Sequence, residues 1–172
     1  MLQVAGCVAD SIVDGPGLRF TVFFQGCPHH CPGCHNPETW AFEGGQECTP
    51  EELAALAKKS PLCKGVTLSG GEPFAQAGEE MLRFVALCRE AGLEVASYTG
   101  YTFEQLLEGS EAQKALLAAL DTLIDGPFVQ AERSLELRFR GSRNQRILNV
   151  PASLAAAAPV WETGERWVGG HE

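Results

Sequence analysis

The sequence predicts an α/β fold: a partial, laterally open (βα) barrel with mostly parallel strands. Strand-like and helix-like segments alternate along the chain, residues of unusual type fall just after the strand-like ones, and the strands are too few for closure. Phe20–Phe24 is apolar nearly throughout, as expected of a strand covered on both faces. Gly65–Ser69, Leu93–Tyr98 and Thr122–Asp125 are shorter candidates. Thr49-Pro50-Glu51-Glu52 supplies an N-cap, a proline at the first helical position and a capping-box Glu, opening a helix through about Lys59. Residues 78–91 carry Met81, Phe84, Val85 and Cys88 on one helical face and stop at Gly92. Residues 103–120 read as helix with a break near Gly109-Ser110. Four strands and one or two flanking ones cannot close an eight-stranded barrel, which takes about 250 residues; this chain has 172. Residues 1–150 are expected to form the partial barrel, and 151–172 a tail packed on or trailing the same domain.

In parallel βα architectures the loops at the carboxyl ends of the strands converge. A cysteine-rich loop follows the first predicted strand, Gly70-Gly71-Glu72-Pro73 the second, Thr99-Gly100 the third and Gly126-Pro127 the fourth. One shared pocket around the cysteines is the expectation. Composition narrows its occupants. A net charge of −9, from 13 basic and 22 acidic residues, argues against a nucleic-acid backbone as partner. No apolar run approaches the roughly 18 residues of a bilayer span, and the N-terminus lacks the basic start and apolar stretch of a signal peptide. A cytoplasmic chain without a membrane partner is expected.

Three of the seven cysteines, Cys27, Cys31 and Cys34, lie in the run GCPHHCPGCHN. Thiolates at this density bind zinc or an iron–sulfur cluster. A closed zinc site needs a fourth ligand, for which His29, His30, His35 and Cys48 are available, but the paired spacing usual for zinc is missing. Three ligands on a four-iron cluster leave one iron open to bind a substrate. Cys88 reads as a core residue, and Cys7 and Cys63 take the same reading. Leu135, Leu137 and Phe139 alternate with Glu136, Arg138 and Arg140, which predicts a strand whose polar side faces water. Arg133, Arg138, Arg140, Arg143 and Arg146 gather five of the 13 basic residues in one stretch. Of these, Arg143 and Arg146 are candidates for partner contact, and Asp14 and Arg19 for an ion pair. Trp40, Trp161 and Trp167 are expected to be packing residues.

The cysteine spacing followed by Gly70-Gly71-Glu72-Pro73 resembles the radical S-adenosylmethionine enzymes. DGPGLR at 14–19 resembles the activating enzymes of glycyl-radical enzymes. GCPHHCPGCHNPETW with SGGEP, YTGY (Tyr98–Tyr101), DGPF (Asp125–Phe128) and FRGSRNQR (Phe139–Arg146) is similar to the branch serving the anaerobic ribonucleoside-triphosphate reductase. The resemblance implies that Cys27, Cys31 and Cys34 hold one [4Fe-4S] cluster whose fourth iron is capped by S-adenosylmethionine as cosubstrate. It implies that Gly70, Gly71 and Glu72 hold the methionine end, and that Gly33, Cys34 and His35 border the adenine. Many relatives carry an aromatic residue where this chain has Gly33, with His35 the nearest ring to take its place. The implied reaction is reductive cleavage to a 5′-deoxyadenosyl radical that takes a hydrogen atom from a glycine of the reductase. No protein acid or base is needed for a hydrogen-atom transfer. The implied electron donor is a flavodoxin or ferredoxin. Action on another glycyl-radical enzyme or on a small molecule remains an alternative, and a non-catalytic zinc module a distant one.

Overall fold

A computed structural model describes residues 1–12, 14–34, 37–163 and 165–168. Seven strands make one sheet: β1 (Leu2–Ser11), β2 (Arg19–Phe24), β3 (Gln46–Cys48), β4 (Gly65–Gly70), β5 (Glu94–Tyr98), β6 (Thr122–Asp125) and β7 (Arg146–Asn149). Their order is β3-β1-β2-β4-β5-β6-β7. The four expected strands, β2, β4, β5 and β6, form the parallel centre. β1, β3 and β7 flank it in antiparallel pairings. The terminal strands β3 and β7 do not pair with each other, so the sheet is open.

Helices α1 (Pro50–Ala57), α2 (Glu79–Glu90), α3 (Phe103–Leu107), α4 (Glu111–Ala119) and α5 (Val150–Ala156) pack around this sheet, and a short α6 (Glu165–Val168) ends the described chain. Their ends follow local chemistry. Thr49 accepts from the Glu52 N–H at 3.1 Å. Ser110 and Gln113 form a reciprocal capping box that starts α4 and separates it from α3, the break expected at Gly109-Ser110. Among the described residues no helix is long and apolar enough to cross a membrane.

Side chains alternate across each strand, and the two faces of this sheet differ. Phe20, Val22, Phe24, Val66, Leu68 and Val95 join Leu53, Met81, Phe84, Val85, Cys88 and Leu116 from the helices in the main core. Burying each of the larger members contributes on the order of 1.5–3 kcal/mol. The opposite face is markedly polar for a buried surface: Arg19, Thr21 and Thr67 are all fully buried. Arg19 donates to Thr67 Oγ1 (2.8 Å), Val66 O (3.2 Å), Pro16 O (3.3 Å) and Glu94 Oε1 (2.6 Å). Arg166 of α6 grips the same carboxylate through both oxygens at 2.9 Å. Trp167 then lies under the Arg19 guanidinium, 5.4 Å from ring centre to Cζ, and packs with Ala96, Ile124 and Ile147. The end of the described chain thus seals one end of the inner face.

Several sequence expectations change here. Residues 135–140 form no strand; they lie in a loop with Leu135 85% exposed. Alternation alone was insufficient, because β7 already occupies the edge beside β6. Arg140 is buried rather than solvated, 5.3 Å from the Trp161 ring centre and donating to Gln145 O at 2.9 Å. Asp14 does not pair with Arg19; its carboxylate accepts from Ser11 Oγ (2.6 Å) and Thr21 Oγ1 (3.2 Å). Cys88 is core, whereas Cys7 is exposed, Cys63 is half-buried and Trp161 is 40% exposed.

The Arg19–Glu94 pair makes acid stability predictable. Burial alone would raise the Glu94 carboxyl, but hydrogen bonds from Arg166 and Arg19 outweigh it and hold its pKa below the usual carboxylate range. A depressed folded-state pKa stabilises the fold above the unfolded value, near 4.3, and that stability is lost as pH falls through the lower folded value. Glu94→Gln leaves buried Arg19 without its counter-charge and should cost about 3 kcal/mol at pH 7. Denaturant titrations from pH 7 to 3 should show the wild-type advantage shrinking with acidification; an unchanged difference across that range contradicts the assignment.

Candidate functional site

The four loops after β2, β4, β5 and β6 surround one cavity of about 470 Å³. Cys27, Cys31 and Cys34 lie on its wall with Gly70, Gly71, Thr99 and Gly100. None of the three is in a disulfide. The cysteine loop is held by backbone bonds: Gly26 N–H to Thr39 O (2.7 Å), Cys27 N–H to Trp40 O (3.0 Å) and Cys34 N–H to Cys31 O (3.0 Å). His30 adopts a left-handed φ of 48° and stacks on Trp40, 4.6 Å between ring centres. Burial pushes the Cys27 thiol pKa up, with the nearby Glu72 and Cys31 charges adding to it, against backbone hydrogen bonds from His29 and His30 that lower it.

Gly70 and Gly71 meet a steric demand from the protein itself. Gly70 has φ +94°, and a Cβ there would collide with the backbone nitrogen of Phe24. A Cβ on Gly71 would collide with the carbonyl oxygen of Gly26. Two hydrogen bonds close this approach, Gly71 N–H to Phe24 O (2.8 Å) and Glu72 N–H to Gly26 O (2.7 Å). The strand end after β4 is thereby pressed against the entry to the cysteine loop, and its side-chain-free backbone forms cavity wall.

Glu72 itself is fully buried and ties the loops together. Its Oε1 accepts from Gly100 N–H (2.7 Å) and Thr99 Oγ1 (3.0 Å) and lies 2.7 Å from His29 Nε2. Its Oε2 accepts from Phe74 N–H at 3.0 Å. His29, between the first two cysteines, also sets its ring edge-on to Tyr101 at 4.5 Å. Of the histidines considered as a zinc ligand, His29 is therefore engaged with Glu72 and His30 with Trp40. Cys48 is buried at the far edge of the sheet, where it pairs with Leu2 of β1, and does not line the cavity. Among the described residues, no three His, Cys, Asp or Glu side chains converge on a point where a single metal ion could bind. A cuboidal cluster sets each thiolate on a separate iron and needs no such convergence, so the donor set suits it.

The remaining motif residues serve the loops. Asp125 accepts from Phe103 N–H (2.7 Å) and from Arg146 Nε (3.0 Å) and Nη2 (2.5 Å). Arg146 also grips Glu104 at 2.6 Å, so its guanidinium is internal structure rather than a free contact. Gln145 accepts from Gly141 N–H (2.8 Å) and donates to Gly126 O (3.1 Å), closing the loop that follows β6. Gly33 faces the Gln130 side chain. His35 lies outside the described residues. Sequence reasoning missed Gln130, and it singled out Tyr101 and Gln145 only as members of matched motifs, not for the loop contacts they make.

The family described as "4Fe-4S single cluster domain" matches residues 13–148. The anaerobic ribonucleoside-triphosphate reductase-activating protein of Vibrio cholerae serotype O1 is 36% identical over 143 residues, 79% of this chain and 90% of its own. The protein of that name from Escherichia coli K12 is 36% identical over 143 residues, 79% and 91% of the two chains. A pyruvate formate-lyase-activating enzyme from Clostridium pasteurianum is 43% identical over 109 residues, 58% of this chain and 45% of its own. The matched domain and these relatives define an iron–sulfur activase of the radical S-adenosylmethionine class. Within that class, the chain belongs to the family of the anaerobic ribonucleoside-triphosphate reductase-activating proteins.

The Glu72 network has a measurable consequence. In Glu72→Gln an amide N–H must face a donor at one of the two oxygen positions, an unmet buried contact costing roughly 1–3 kcal/mol. Thermal unfolding should show that loss, and amide hydrogen exchange at Gly100 and Phe74 should speed up. Wild-type exchange at both amides in the variant contradicts the tie.

Proposed function

We propose that the chain reductively cleaves S-adenosylmethionine and installs a glycyl radical in the anaerobic ribonucleoside-triphosphate reductase. The observation that carries this reading is the meeting, in one cavity, of three cysteines at the Cys27-x3-Cys31-x2-Cys34 spacing, none of them in a disulfide, with the bare backbone of Gly70-Gly71. Cys27, Cys31 and Cys34 would hold the [4Fe-4S] cluster; bound there, it supplies the single electron that splits the sulfonium into methionine and a 5′-deoxyadenosyl radical.

The protein's own part is positional. Gly70 and Gly71 let backbone carbonyls accept from the methionine ammonium, with Glu72 fixing the loop from behind. Gly33, Cys34 and His35 are assigned to the adenine side. Loops after all four parallel strands line the cavity in which the carbon radical would form. A glycine of the reductase's glycyl-radical subunit then gives up its α-hydrogen. The electron donor is assigned to a cytoplasmic flavodoxin or ferredoxin. Similarity to a pyruvate formate-lyase-activating enzyme supports a second reading, in which another glycyl-radical enzyme is the target.

Anaerobic reconstitution should yield a brown protein with about four irons and one cluster spin signal on reduction. With S-adenosylmethionine and the reductase it should form 5′-deoxyadenosine and a glycine-centred spin signal. Alanine at Cys27, Cys31 or Cys34 should abolish cluster binding and both products, whereas Cys48→Ala should keep them. A colourless zinc protein, or product formation that survives loss of all three thiols, contradicts the proposal. The spin signal appearing only with pyruvate formate-lyase would favour the second reading.

A further inference from the structure

Packing alone does not account for Trp40. Its indole nitrogen is buried and, among the described residues, has no hydrogen-bond acceptor, whereas a buried indole N–H ordinarily has one. The segment that carries it is clamped to the entry of the cysteine loop. Gln25 donates to Glu38 O (3.2 Å) and Ala41 O (2.7 Å), Gly26 N–H to Thr39 O (2.7 Å) and Cys27 N–H to Trp40 O (3.0 Å). The ring is fixed as well, stacked on His30, the residue before Cys31, with 7° between the two planes. Trp40 is thus tied to Cys27 and to the neighbour of Cys31. Of the chain's three tryptophans it alone borders the cavity. The Trp167 N–H also lacks an acceptor, but that indole lies beside Arg19 and lines no part of the cavity.

We infer that the Trp40 indole N–H donates to a sulfur of the [4Fe-4S] cluster and raises the cluster's reduction potential. This rests on the cluster assignment proposed above. The acceptor follows by exclusion. Water does not reach the nitrogen, and no oxygen or cysteine sulfur of the described residues accepts from it. A cluster held by Cys27, Cys31 and Cys34 brings inorganic sulfides into this same loop, and hydrogen bonds to sulfur are among the terms that set such a cluster's potential. The sign follows from charge: reduction makes the cluster more negative, and a donor to sulfur favours the more negative state. Backbone N–H groups of His29 and His30 already favour negative charge on the Cys27 sulfur. Trp40 acts with them, against the buried Glu72 carboxylate, which disfavours it.

The test uses the full chain, reconstituted anaerobically, as wild type and as Trp40→Phe, which keeps a ring against His30 and removes the N–H. In a redox titration followed by the spin signal of the reduced cluster, the variant's reduced-to-oxidised ratio at a fixed potential should fall about tenfold, equivalent to about 59 mV for one electron. A second readout is insensitive to packing. In wild-type protein carrying tryptophan isotope-labelled at the indole nitrogen, the reduced cluster's spin should couple to that nitrogen. Trp161→Phe should keep the coupling and Trp40→Phe should lose it. An unchanged potential in Trp40→Phe overturns the inference, as does labelled wild type without nitrogen coupling. If Trp40→Phe takes up no iron, the labelled wild type decides alone: coupling supports the inference and its absence overturns it. A wild-type chain that holds no cluster overturns the inference and the proposed function together. A cluster that couples to the label but leaves S-adenosylmethionine intact removes the proposed function and supports the inference.

Discussion

A single fully buried carboxylate holds the rim of this molecule in place. Glu72 accepts hydrogen bonds from the loop after β4 that carries it and from the loop after β5, and its partner His29 belongs to the cysteine loop after β2. A buried charge is tolerated only when several donors surround it. That requirement turns three otherwise independent loops into one assembly. The glycines before Glu72 act in the same direction, since only bare backbone fits against Phe24 and Gly26. Cysteine positions, cavity wall and barrel rim are therefore set together, and movement in one loop is felt in the others.

The two faces of the sheet explain why the barrel stays open. The outward face is apolar and covered by α1, α2 and α4. The inward face carries Arg19, Thr21 and Thr67, which bond to the 14–19 segment at one end, while the thiol-lined cavity occupies the other. Closing such a sheet on itself would bury those groups without partners. Open architecture and polar interior are one design.

The parallel centre was legible because βα alternation and helix caps act locally: Phe20–Phe24, the Thr49 cap and the Ser110 break all appear where their chemistry puts them. The flanking strands were not. β1 has a clear buried alternation only over Leu2 and Val4 before its side chains turn to solvent, and β3 and β7 are too short to carry a period. Conversely, Leu135–Arg140 has a strand's pattern, but the place beside β6 is taken by β7 and the segment stays a loop. In the site, the thiols and the glycine pair were readable from spacing. The Glu72–His29 contact was not, because it joins residues 43 positions apart and depends on how two loops fold over one another.

Trp167 illustrates a separation of duties within so small a chain. Its indole, contributed by the last described helix rather than by any strand, lies between the Arg19 guanidinium and the Phe139 ring, and Phe139 borders the cavity. A change at this appended aromatic is therefore relayed to the cavity wall through Phe139, without passing through the loop that carries the three cysteines.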